Sequence, residues 1–170
     1  MVKEMNKLTL IIARHGKSSS AIGVSDFKRG LTDRGVKQAK HVGESLKKML
    51  GSIDLVISSD AIRARDTAQI ISAELDYPID EIKLESSLYH SDIENTLFVL
   101  KKLKLSTRIV LLVGHNPTWC DLVNFLQSKF VNGLRTSDVA VLKFEIPDWE
   151  SIRPMSGELL YSGRFEENIK

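Results

Sequence analysis

The chain has 170 residues, with 24 Lys and Arg against 22 Asp and Glu. That length is most simply one domain, residues 1–170, and an apolar fraction of 42% is enough for a core without staples. A net charge of +2 with both signs interspersed argues against a nucleic-acid surface, which needs a concentrated basic face, and the single cysteine, Cys120, excludes an intrachain disulfide framework.

The N-terminal stretch "MVKEMNKLTLIIARHG" holds an apolar run stopped by Arg14. It is too short for a signal segment or a membrane span, so a cytoplasmic protein with no membrane association is expected. Within it, "LTLIIA" (8–13) is continuous, apolar and rich in β-branched residues, as in a strand buried on both faces. Residues 17–31 lack periodicity and read as a long loop. A helix follows, with Thr32 as N-cap and Val36, Ala39, Val42, Leu46 and Met49 at helical spacing. "IDLVISS" (53–59) is a second buried strand, and residues 60–75 form a helix with Ala61, Ala64, Ala68, Ile71 and Leu75 on one side. "IKLES" (82–86) is a short third strand. Ser91 and Glu94 match a capping box opening a helix that runs to about Leu103. "RIVLLVG" (108–114) is the fourth strand; Asn116 then caps a helix with Pro117 at its first position. Residues 139–146 and 158–165 are late strands. This order predicts a three-layer α/β/α sandwich around a largely parallel central sheet.

In such sheets ligands bind beyond the carboxyl ends of the strands. The first strand ends in Arg14-His15-Gly16, the second in Ser58-Ser59 with Arg63 one helical turn on, and the fourth in Gly114-His115-Asn116. If those strands are neighbours, two arginines and two histidines converge, and helix N-termini near Arg63 and after Asn116 favour an anion. Gly16-Lys17-Ser18 also suggests the tail of a P-loop. That motif needs a glycine where Ile11 stands and a helix opening at Lys17, and neither is present. Gly16 instead reads as a residue that lets the backbone turn tightly and approach a ligand.

Five segments in order, "RHGKSS", "DFKRGLTDRG", "SSDAIRARDTA", "LYHS" and "VGHNP", resemble the histidine phosphatase superfamily, with its phosphoglycerate-mutase-like fold. The nearest resemblance is to the short SixA-type phosphohistidine phosphatases, and it covers nearly the whole chain. The acid-phosphatase branch carries an RHG-x-R-x-x-P extension and a His-Asp pair; Lys17-Ser18 and His115-Asn116 disfavour it.

The resemblance implies a phosphatase that works through a phosphohistidine intermediate on His15. A neutral imidazole nitrogen attacks phosphorus, while a backbone carbonyl holds the other ring nitrogen. Arg14, Arg63 and His115 would then neutralise the phosphoryl oxygens. No metal and no cofactor is expected, since the cationic cluster supplies that charge and the histidines at 15, 41, 90 and 115 lack close metal-ligand spacing. Gly16, Ser18, Arg29, His90 and Asn116 are candidates for substrate binding, with Lys17 beside them. Arg65 points away from Arg63 on a helix and reads as a surface residue. His41 reads as solvated, Cys120 as packing, and Trp119 and Trp149 as either core or rim.

The general acid is where this chain departs from its relatives. Aligned on Tyr89, the mutase glutamate position holds Ser86; Glu85, His90 and Asp92 are the possible substitutes. A protonated imidazole departs without an acid, whereas an alkoxide does not. The expected substrate is therefore phosphohistidine on a protein. The alternatives are a small-molecule phosphomonoesterase and a non-catalytic phosphate-binding module, and the intact His15 and His115 argue against the last.

Overall fold

The computed structural model describes residues 4–20 and 22–165. Six strands, β1 (Asn6–Arg14), β2 (Leu55–Ser58), β3 (Lys83–Leu84), β4 (Ile109–Gly114), β5 (Val139–Ile146) and β6 (Gly157–Gly163), form one sheet in the order β3-β2-β4-β1-β5-β6. The β3-β2-β4-β1 part is parallel, β5 runs antiparallel to β1, and β6 antiparallel to β5. Four helices alternate with these strands: α1 (Asp33–Leu50), α2 (Ile62–Glu74), α3 (Ile93–Lys101) and α4 (Thr118–Leu126).

The strand alternation builds the three layers. Leu8, Leu10 and Ile12 of β1, with Val110 and Leu112 of β4, pack with Leu100 of α3 and Trp119, Leu122, Val123 and Leu126 of α4. Ile11 and Ala13, with Leu111 and Val113, pack on the other face with Ala39, Val42 and Leu46 of α1 and Ala64, Ala68 and Ile71 of α2. Both faces of the central strands are thus covered, which is why they read as unbroken apolar runs. Trp119 and Trp149 are both fully buried.

Several local expectations are corrected. Thr32 does cap α1, its side chain accepting from the Gly35 N–H. The buried face of α1, however, is Gly35, Gln38, Ala39, Val42, Gly43 and Leu46, so Val36 and Met49 lie off it and are exposed. The cap of α3 is Asp92 rather than Ser91: its carboxylate accepts from Asn95 N at 2.7 Å. The Ser91 hydroxyl turns instead to Thr96 and the Asp92 carbonyl. Asn116 does not cap α4. Its amide donates to Leu134 O, and Pro117 stands at the N-cap position with the helix opening at Thr118. The loop over residues 17–31 is tied down by a bridge between Ser18 and Leu31 and by a 3-10 turn, Asp26–Lys28.

Candidate active site

Register brings the three strand ends together. Arg14 pairs with Gly114 and Ser58 with Val113, and the next residues continue the ladder through His15 N to Gly114 O and Ser59 N to Val113 O. His15, Ser59 and His115 therefore emerge side by side at the carboxyl edge, where α2 begins. A cleft of about 290 Å³ opens there, lined by Arg14, His15, Lys17, Ser18, Asp26, Arg29, Arg63, His115, Asn116 and Thr136.

His15 Nδ1 lies 2.8 Å from the carbonyl of Gly16. A carbonyl only accepts, so Nδ1 carries the proton and Nε2 presents its lone pair to the cleft. Burial, with the charges of Arg63, Arg14 and Arg29, lowers the His15 pKa to about 4, and the Gly16 bond offsets only part of that. The ring is therefore neutral near pH 7, the form in which an imidazole nitrogen is nucleophilic.

Arg63 is buried and uses both edges of its guanidinium. The side edge faces the histidines, with Nε donating to His15 Nε2 at 3.2 Å and Nη2 to His115 Nδ1 at 3.3 Å. The far edge is clamped by Asp26, Nη1 to its carbonyl at 2.5 Å and Nη2 to its carboxylate at 2.8 Å. His115 accepts from an arginine at Nδ1, so when neutral it donates from Nε2 to Ser59 Oγ, 2.9 Å away. Burial first, then His15 and Arg63, lowers the His115 pKa to about 3. Arg14 donates from Nη1 to Leu134 O, while its Nε is buried without a partner. A buried cationic N–H at a cleft wall is suited to an anionic oxygen.

The remaining candidates divide. Ser18 Oγ accepts from Arg29 Nη2 at 2.9 Å, and both line the cleft, as does Asn116, whose Oδ1 is buried and unpaired. Gly16 is not a ligand approach. Its N–H is spent on Thr67 Oγ1, and a Cβ there would meet Gly35 O at 2.9 Å; the glycine serves close packing of the loop on α1. His90 is exposed, its ring 4.0 Å from that of Tyr89, and it does not line the cleft. Neither does Glu85, which caps its own turn through Ser87, nor Asp92, which caps α3. Arg65 is half-exposed and pairs with Asp66 at 3.6 Å.

Sequence reasoning assigned no role to Asp26, Tyr89, Ser59 or Thr67. Thr67 lies four residues after Arg63, on the same helix face, and that spacing was readable. Asp26 reaches the cleft through a loop with no periodicity to predict its path. Its carboxylate accepts from Arg63, from Tyr89 O–H at 2.8 Å and from Arg29 at 2.9 Å. The Tyr89 hydrogen bond is the largest cause of a pKa lowered to about 2; desolvation opposes it, and Arg63 and Arg29 add to the lowering. Among the described residues no group of His, Cys, Asp and Glu is arranged to hold a metal ion.

The sheet thus presents two neutral histidines facing one guanidinium at adjacent strand ends. The family model described as histidine phosphatase superfamily (branch 1) matches residues 10–88, a little under half of the chain. The serine/threonine-protein phosphatase Pgam5, mitochondrial, of Drosophila virilis is 41% identical over 80 residues, 47% of this chain and 27% of that protein. The chain thus spans about a quarter of the length of that curated relative. Among solved structures, the protein histidine phosphatase SixA complexed with tungstate superposes with a TM-score of 0.79 at 23% identity, over 91% of this chain and 96% of SixA. The mycobacterial glucosyl-3-phosphoglycerate phosphatase Rv2419c superposes at 0.68 with 18% identity, over 91% and 98%. At these identities the likeness establishes the phosphoglycerate-mutase-like fold. No helix among the described residues is long and apolar enough to cross a membrane.

Proposed function

We propose that this protein is a phosphatase acting through a phosphorylated His15, and that its substrate is phosphohistidine on a protein. His15 Nε2 attacks phosphorus; the bond to the leaving group breaks and its electron pair departs with that group. The Arg63 side edge, the unpaired Arg14 Nε and His115 take the phosphoryl oxygens, whose charge must be met in flight. A dianion between the two rings opposes the charges that keep His115 neutral, so the ring takes a proton from water onto Nδ1 as substrate binds and is a donor until phosphate leaves. Water then attacks the phosphoenzyme, the P–N bond breaks, and His15 returns to its neutral form.

The observation that carries the substrate class is the lack of a usable carboxylic acid. Asp26 is the one carboxylate lining the cleft among the described residues, and with a pKa of about 2 it holds no proton to give. Leaving groups must therefore depart without one. Imidazole does so, and alkoxides do not. The SixA fold and the exposed rim residues Lys17 and Asp26 support a macromolecular substrate. The test is turnover of a phosphohistidine-bearing protein against a panel of sugar and nucleotide phosphates. The proposal expects phosphohistidine to be preferred by kcat/KM; a preferred sugar phosphate would replace it with a small-molecule phosphomonoesterase.

A further inference from the structure

We propose that Asp26 is a specificity-determining residue whose carboxylate accepts a hydrogen bond from the distal ring N–H of the phosphohistidine leaving group. This rests on the phosphohistidine reading above.

Asp26 stands alone in charge. The cleft walls carry Arg14, Lys17, Arg29 and Arg63, and Asp26 is the one acidic side chain that lines them among the described residues. The carboxylate is also incompletely used. Oδ2 accepts from Arg63 and Tyr89, and Oδ1 from Arg29 only. A carboxylate has about four acceptor positions, so one remains on Oδ1. The side chain is 52% exposed, so that position is open to a substrate entering from solvent. Three donors on three segments hold it in place: Arg63 on α2, Arg29 after the 3-10 turn, and Tyr89 after the turn Ser86–Leu88.

The chemistry balances without proton transfer to Asp26. The distal nitrogen is protonated in the substrate. His15 Nε2 forms its bond to phosphorus as the substrate P–N bond breaks. That bond's electron pair returns to the proximal nitrogen, and a neutral imidazole leaves with its N–H still on the carboxylate. By stabilising the protonated ring, Asp26 keeps the leaving group in the form that departs. An aryl phosphate has no such N–H, and its anionic leaving group gains nothing from the carboxylate.

The experiment compares kcat/KM for phosphohistidine and for p-nitrophenyl phosphate in the wild type and in Asp26→Asn, a nearly isosteric change. The ratio of the two should fall about ten- to hundred-fold, the range for a hydrogen bond to a charged group. Asp26→Glu, which keeps the charge, should recover part of the ratio. Residual p-nitrophenyl phosphate turnover and circular dichroism show that each variant is folded. An unchanged ratio overturns the proposal, whether both activities fall together, as for a mere clamp on Arg63, or neither does. A wild type active on p-nitrophenyl phosphate but not on phosphohistidine overturns the phosphohistidine reading itself, and Asp26's role with it.

Discussion

Replacing Arg63 by alanine removes the guanidinium that bonds both His15 Nε2 and His115 Nδ1. Loss of one preorganised donor to a developing anion costs about 10²–10³ in kcat, roughly 2.7–4 kcal/mol. Arg63 presents two N–H groups along one edge, so Arg63→Ala should reach the upper part of that range. Arg63 is itself buried and also bonds the Asp26 carbonyl, so thermal unfolding of the variant separates a lost fold from a lost rate. Arg63→Lys keeps a charge without the planar fork and should recover only part of the rate. Arg65→Ala is the internal control: that side chain is 40% exposed and pairs with Asp66 at 3.6 Å, so its removal should alter the rate less than about two-fold. The assay is kcat/KM on p-nitrophenyl phosphate for the three variants. An Arg63→Ala protein within a few-fold of wild type, or an equal loss in Arg65→Ala, would refute the assignment of the guanidinium to the phosphoryl group.

Burial holds the His15 pKa at about 4 and that of His115 at about 3, against 6.5 for a free imidazole. Unfolding releases both rings to take protons at the higher value, so stability is full above pH 6.5 and is lost as pH falls toward 4. Thermal unfolding across that window checks this, together with an NMR titration of His15; a midpoint near 6.5 would contradict the burial argument. With no protonated acid at the cleft, kcat/KM should depend steeply on leaving-group pKa across aryl and alkyl phosphates, and Glu85→Gln or Asp92→Asn should leave that slope unchanged. A flat dependence with P–O cleavage rate-limiting would reveal an acid. Gly35→Ala places a Cβ 2.2 Å from Lys17 O and should cost about 1–3 kcal/mol in urea denaturation, since backbone rather than a flexible side chain must give way; an unshifted midpoint would show that the loop packs on α1 differently.

The sheet was legible because its central strands are buried on both faces, which leaves uninterrupted runs such as "LTLIIA" and "IVLLV". The placement of Arg14, His15, Arg63 and His115 followed from strand ends, given that β2, β4 and β1 are neighbours, and the register confirms that adjacency. Cap positions were less legible. Ser91, Asp92 and Asn116 are all competent caps by type, and tertiary partners decided: Thr96 engages Ser91, and Leu134 O takes the Asn116 amide. The face of α1 was misread at Val36 and Met49 because glycines, invisible to a hydrophobic periodicity, lie on its buried side. Asp26 escaped for a different reason. Its contacts with Arg63 and Tyr89 span 37 and 63 residues, and no local pattern encodes such a closure.

The most direct measurement is to trap the covalent intermediate. The protein is mixed with substrate for milliseconds, quenched in alkali to spare an acid-labile P–N bond, digested, and mapped by mass spectrometry. A stoichiometric phosphoryl group is expected on His15, lost in His15→Ala together with turnover. Phosphate on another residue, or normal turnover by His15→Ala, would contradict it.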